Sequence, residues 1–190
     1  MGTVDATGWV VAFAVLVFVA YSFVDPDNET EPPSAPSSSQ TVRPAEGVSR
    51  NARVLRVVDG DTIIVRSVSE AGGEAVGKPR RVRYIGVDTP ESVKPNTPVE
   101  CYGKEAAAAN RELVDGEYIE LISDKERFDR FGRALAYVYV GKKLVNAELI
   151  KNGYAETLEI PPNTAKAEEF AELERVAKRT NKGLWQACDR

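Results

Sequence analysis

Val54-Leu55-Arg56-Val57-Val58-Asp59-Gly60-Asp61-Thr62-Ile63-Ile64-Val65-Arg66 decides the fold class. Two β-branched, apolar runs are joined by Asp-Gly, a dipeptide that accepts the backbone of a tight hairpin turn. A third run, Arg81-Val82-Arg83-Tyr84-Ile85, follows a connection holding Gly72-Gly73, Gly77 and Pro79, which reads as a loop. Residues 118–122 and 134–140 read as the fourth and fifth strands. A helix is expected over 102–114, driven by its run of alanines and stopped by Asp115-Gly116. A short one is expected over 144–151, closed by Asn152-Gly153. A longer one is expected over 164–179, with Ala167, Phe170, Ala171, Leu173 and Val176 as its apolar stripe. Five short strands with a helix between the third and fourth point to an α+β fold, a five-stranded OB-type barrel.

Working outward, the N-terminus has a different composition. Residues 6–24 carry no charge, enough to span a bilayer, with Trp9 and Tyr21 near the ends. Segment 1–24 reads as an uncleaved transmembrane anchor or a cleaved signal; no basic region precedes it and no Ala-x-Ala site follows. Residues 25–49 are rich in Pro, Ser, Glu and Thr and read as a disordered tether, with Asn28-Glu29-Thr30 a formal glycosylation match. The folded domain is then 50–190, outside the membrane or secreted.

Composition excludes several chemistries. The chain has no histidine, so Ser-His-Asp and Cys-His catalysis and His-ligated zinc are ruled out. Residues 1–50 hold six acids and two bases of the chain's 29 and 25, which leaves 23 of each beyond. That remainder is neutral overall, so any phosphate binding must come from local placement. Cys101 and Cys188 lie outside any Cys-x-x-Cys and make zinc improbable. They read either as two unrelated thiols or, given an exported chain, as one disulfide.

The remaining candidates are oxygen ligands and guanidiniums at strand ends. Asp61 follows the tight turn, and Asp88 precedes Thr89-Pro90. Two carboxylates from neighbouring strand ends, with main-chain carbonyls and water, suit Ca²⁺. Taken alone, Asp59 and Asp61 are equally turn and cap residues. Arg83 and Arg133 could grip a phosphate through paired charge-assisted bonds, or form ordinary strand-end ion pairs. Glu91 could orient a water or accept its proton, or be a solvated loop acid.

The motifs gain meaning from their order. Asp59-Gly60-Asp61-Thr62, Arg83 with Asp88-Thr89-Pro90-Glu91, Tyr102-Gly103-Lys104-Glu105-Ala106, Phe131-Gly132-Arg133, Val145-Asn146 and Leu184-Trp185 follow one another between residue 51 and Trp185. This series resembles the staphylococcal nuclease family, Ca²⁺-dependent phosphodiesterases built on an OB-type barrel with three helices. The resemblance implies that Asp61, Asp88 and the Thr89 carbonyl bind calcium, with Asp59 behind them. It implies that Arg83 and Arg133 hold the scissile phosphate and that Glu91 positions or deprotonates the water. It further implies an endonuclease cleaving DNA and RNA to 3′-phosphates, acting as a monomer and favouring single strands. A non-catalytic module binding nucleic acid or protein at the cell surface is the alternative. Two departures stand out, the first being that the domain is not basic as the best-known member is, so substrate attraction should be weaker at moderate salt. Second, the secreted members often carry two tyrosines after the second helix, and residues 154–163 (Tyr154-Ala155-Glu156-Thr157-Leu158-Glu159-Ile160-Pro161-Pro162-Asn163) lack the pair. Base stacking there should be weaker or supplied differently.

Overall fold

The computed structural model describes residues 50–68, 75–93 and 97–189. The expected membrane segment and tether lie outside these residues, as do Gly72 and Gly73. Among the described residues, no helix is long and apolar enough to cross a membrane.

In chain order the elements are β1 (Ala52–Val57), β2 (Thr62–Val68), β3 (Ala75–Tyr84), β4 (Gly86–Asp88), α1 (Gly103–Val114), β5 (Tyr118–Ile122), β6 (Ala134–Val140), β7 (Lys143–Leu144), α2 (Val145–Lys151), β8 (Glu156–Leu158), α3 (Ala167–Arg179) and α4 (Leu184–Ala187). The main sheet runs β3-β2-β1-β5-β6-β7. A parallel pairing of β3 with β6 closes it into the expected five-stranded barrel. Val54, Ile63, Val82, Ile119 and Val138 fill the interior, each fully buried. Period-2 alternation puts them there, since successive strand side chains leave on opposite faces.

The closing seam needs help, because β3 and β6 pair over only Val82–Tyr84 and Ala134–Ala136. Asn146 of α2 supplies it. Its Oδ1 accepts from the Val138 N–H at 2.9 Å, and its Nδ2 donates to the Ile85 carbonyl at 2.9 Å. Both backbone groups are buried, and either would cost free energy unpaired. Val145, Leu149 and Ile150 of α2 are fully buried beside it. Phe170 of α3 is also buried, edge-on to Tyr137 with ring centroids 6.1 Å apart.

Three expectations change. β3 begins at Ala75, through Gly77 and Pro79, where the sequence reads as loop. It is an edge there: β6 joins only from Val82, so the missing Pro79 N–H is not needed on that side. The extra residues 77–79 are absorbed by a bulge opposite Arg66. In α3, Ala171 is exposed, and Phe170 and Ala177 are the buried positions, because the packed stripe is narrower than the apolar composition. The short helix α4 also adds to the expected three.

The two cysteines are joined. A disulfide links Cys101, just before α1, to Cys188, just after α4, with Cα atoms 5.9 Å apart.

Candidate active site

The turn between β1 and β2 is fixed by its own groups. The Asp61 N–H donates to Asp59 Oδ1 at 3.1 Å, and the Val58 N–H donates to the Thr62 carbonyl at 2.9 Å. Gly60 is required by close approach: a Cβ there would lie 2.6 Å from the Thr89 side chain. The turn therefore packs directly on the segment that follows β4. Thr89 completes the contact, donating its N–H and Oγ1 to Asp61 Oδ2 at 3.0 and 2.9 Å. Asp61 is only 5% exposed, so its charge depends on these donors and on Arg83.

A second support comes from α1. Asn110 Nδ2 donates to the Asp59 carbonyl at 3.0 Å, and Asn110 Oδ1 accepts from Tyr84 Oη at 2.8 Å. Both side chains are buried, and burial holds the Tyr84 hydroxyl protonated far above its usual range. The sequence reading missed this pair. Its signal was present: Asn110 sits four residues from both Ala106 and Val114, on the face of α1 that is buried.

Arg83 points away from the barrel interior that Val82 and Tyr84 fill. Its Nη1 lies against Asp61 Oδ2, and its Nη2 donates to Asp88 Oδ1 at 2.8 Å. Burial lowers its pKa, Asp88 opposes the shift, and repulsion from Arg133 adds to it. Burial also raises the Asp59 carboxyl above the usual carboxylate range, helped by Glu91 and opposed by Thr62 and Arg83.

Arg133 is set by Asp129. Asp129 Oδ1 accepts from the N–H groups of Phe131 and Arg133, each at 2.9 Å, and Oδ2 accepts from Arg133 Nε at 2.6 Å. That arrangement leaves both Nη nitrogens for an anion. Glu91 is fastened through its backbone. Its N–H donates to Glu100 Oε2 and its carbonyl accepts from the Glu100 N–H, both at 2.9 Å. Gly103 presses so close that a Cβ would lie 2.7 Å from the Glu91 carbonyl oxygen.

Asp59, Asp61, Arg83, Asp88, Thr89, Glu91 and Arg133 all line one cleft of about 170 Å³. Every residue singled out for chemistry is thus brought together. Among the described residues, no group of three or more His, Cys, Asp or Glu gathers to hold a metal. The hard donors lining the cleft are the carboxylates of Asp59, Asp61, Asp88 and Glu91. A larger cavity of about 510 Å³ adjoins, sharing Arg83 and Arg133 and lined by Phe131, Leu135, Leu158 and Ile160. Phe131 is 69% exposed, with Arg130 and Arg133 guanidiniums 4.8 and 5.6 Å from its ring centroid. Tyr154 instead stacks on Tyr102, centroids 5.7 Å apart. Leu158 and Ile160 are brought to the cavity by β8, which pairs with β4.

Known proteins are similar to this chain in sequence. The staphylococcal nuclease homologue family matches residues 81–187. A thermonuclease of Staphylococcus hyicus is 37% identical over 94% of this chain and 96% of its own length. A thermonuclease of Staphylococcus intermedius is 33% identical over 95% and 96%. Endonuclease YncB of Bacillus subtilis is 41% identical over 71% of this chain and 61% of its own. The chain belongs to the staphylococcal nuclease family.

Proposed function

We propose that this protein is a calcium-dependent endonuclease hydrolysing phosphodiester bonds of DNA and RNA, exported as a secreted or membrane-anchored monomer. The observation that carries this is the convergence of Asp61, Asp88, Arg83, Arg133 and Glu91 on one cleft beside an apolar pocket. The nuclease names of its relatives and the Cys101–Cys188 bond, typical of exported proteins, lend support.

The donor set fits a hard cation. Asp61 and Asp88 already share one cationic group, the Arg83 guanidinium, so one centre of positive charge reaches both. With the Thr89 carbonyl and water they match the all-oxygen coordination that calcium takes. Bound there, calcium would supply Lewis-acid stabilisation and a template for substrate.

The chain's own residues do the rest. Arg83 and Arg133 bind the scissile phosphate from two sides and neutralise the charge that builds on its oxygens. Glu91 orients a water and takes its proton as the oxygen bonds to phosphorus. The P–O5′ bond breaks, the 5′ oxygen takes a proton from solvent, and a 3′-phosphate remains. Phe131, from the turn before β6, and Leu158 and Ile160, from the segment after α2, hold the neighbouring nucleotide. Single strands suit this site because their bases are free to enter the pocket.

The test is digestion of single-stranded DNA by the 190-residue chain with calcium, and again with EDTA. Cleavage abolished by EDTA and restored by calcium is expected. Tight DNA binding with no cleavage at neutral to alkaline pH would leave only the non-catalytic module.

A further inference from the structure

The outer face of β1, β2 and β3 carries Arg53, Arg56, Arg66 and Arg81, with Ile64 between Arg56 and Arg81. No Asp or Glu occurs in any of the three strands. Val54, Val57, Ile63, Val65 and Val82 point into the barrel, so their neighbours point out. Arg53 of β1 is directly opposite Arg66 of β2. Arg56 is opposite Ile64, which is opposite Arg81 of β3. Arg81 is two residues from Arg83, on the same side of the strand, about 6.6 Å along it. Arginines therefore recur across the sheet from β1 to Arg83 at the cleft.

Stability alone does not account for this face. Like charges directly opposite in a sheet are destabilising, and here two arginines are paired across β1 and β2. Arg53, Arg56 and Arg81 are exposed. Among the described residues, none of Arg53, Arg56, Arg66 and Arg81 takes part in an ion pair. Arg53 has only the Tyr118 ring, 5.4 Å from its guanidinium carbon. Arg66 Nε is buried with no acceptor. Arg53 and Arg66 are adjacent across one strand spacing of about 4.8 Å, within the Debye length of about 8–10 Å at moderate salt, so their fields add. The domain is neutral overall, so these arginines are a local concentration of charge.

We propose that this face is a second docking surface, separate from the cleft, for the phosphate backbone of a single-stranded nucleic acid extending out of the active site. The inference rests on the nuclease reading for its choice of polyanion. The arginines act as point charges on backbone phosphates and read no sequence. They make long substrates better than short ones, and they make that advantage dependent on salt.

The test uses the full chain with Arg53→Ser, Arg56→Ser and Arg81→Ser combined. Binding of a labelled 20-nucleotide single strand is followed by anisotropy in EDTA against salt concentration. Each phosphate contact contributes about −0.7 to the slope of log K against log salt. The triple variant should therefore have a slope shallower by about 2 and bind roughly a hundredfold more weakly at 0.1 M salt. In calcium, KM for the long strand should rise while kcat/KM for a dinucleotide, too short to reach the face, stays at the wild-type value. An unchanged slope and KM overturn the proposal. So does weakened binding to phosphatidylglycerol vesicles with DNA binding intact, which would make the face a membrane contact. A wild-type chain that shows the steep slope but never cleaves sinks the nuclease reading and leaves the face standing.

Discussion

Arg83 and Asp88 are joined by a 2.8 Å bond from Nη2 to Oδ1, while the other Nη of the same guanidinium lies against Asp61. The arginine expected to hold phosphate is thus held by the acids expected to hold the metal. Under the proposed calcium reading, a cation held by Asp61 and Asp88 would free Arg83 for the substrate. Asp88→Asn should therefore weaken calcium binding severalfold. Without calcium, it should bind a mononucleotide more tightly than wild type, because Arg83 has lost a partner. Titration calorimetry with and without calcium checks both signs. Equal mononucleotide affinity in the two proteins without calcium would separate the acids from the phosphate grip.

Arg133→Ala should lower turnover about 10²- to 10³-fold with the circular dichroism spectrum unchanged, the usual cost of one charge-stabilising donor. A loss under about threefold would remove Arg133 from the reaction.

Asp129 holds Arg133 and gives a pH dependence. Burial raises its pKa, but the bonds from Arg133 and the Phe131 N–H outweigh burial, and the carboxyl sits below the usual range. A depressed carboxylate contributes stability above its unfolded value, near 3.9, and loses it as pH falls through the folded value. The urea midpoint of wild type should therefore fall more steeply than that of Asp129→Asn as the pH drops below about 4. Parallel curves would mean the bonds contribute nothing to folding.

Asn146→Leu should destabilise the fold by about 2–4 kcal/mol, since it strands the Val138 N–H and the Ile85 carbonyl at the barrel seam. Urea unfolding measures this. A change below about 0.5 kcal/mol would show that water or the backbone takes over both bonds.

Reducing the Cys101–Cys188 bond opens a loop of 87 residues. The chain-entropy treatment assigns roughly 4–5 kcal/mol to such closure. Unfolding with and without reductant should differ by an amount of that order, and a Cys101→Ser, Cys188→Ser double variant should match the reduced protein.

The sequence carried the site more completely than the fold's margins. Asp61, Asp88, Arg83 and Arg133 were legible through the order of their motifs along the chain, since each alone reads equally as a turn residue or a strand-end ion pair. Asn110 was not, because an asparagine after four alanines looks like ordinary helix surface until its spacing from Val114 is noticed. The start of β3 was obscured by Gly77 and Pro79, which sit in a bulge while Val76 and Ala75 beyond them pair with Ser67 and Val68. β4 and β8 are three residues each, too short for any periodicity to show. Leu158 and Ile160 therefore gave no hint that they would line a pocket.

The seam between β3 and β6 has one further consequence. Arg83 is opposite Leu135, and Arg133 immediately precedes the first paired residue of β6. The distance between the two guanidinium-bearing backbones is written into the register of the ladder that closes the barrel. A slip of one residue would turn Arg83 toward the interior and dismantle the clamp. Until the barrel shuts, then, the polypeptide has no cutting edge. Closure of the barrel and assembly of the arginine pair are therefore one event.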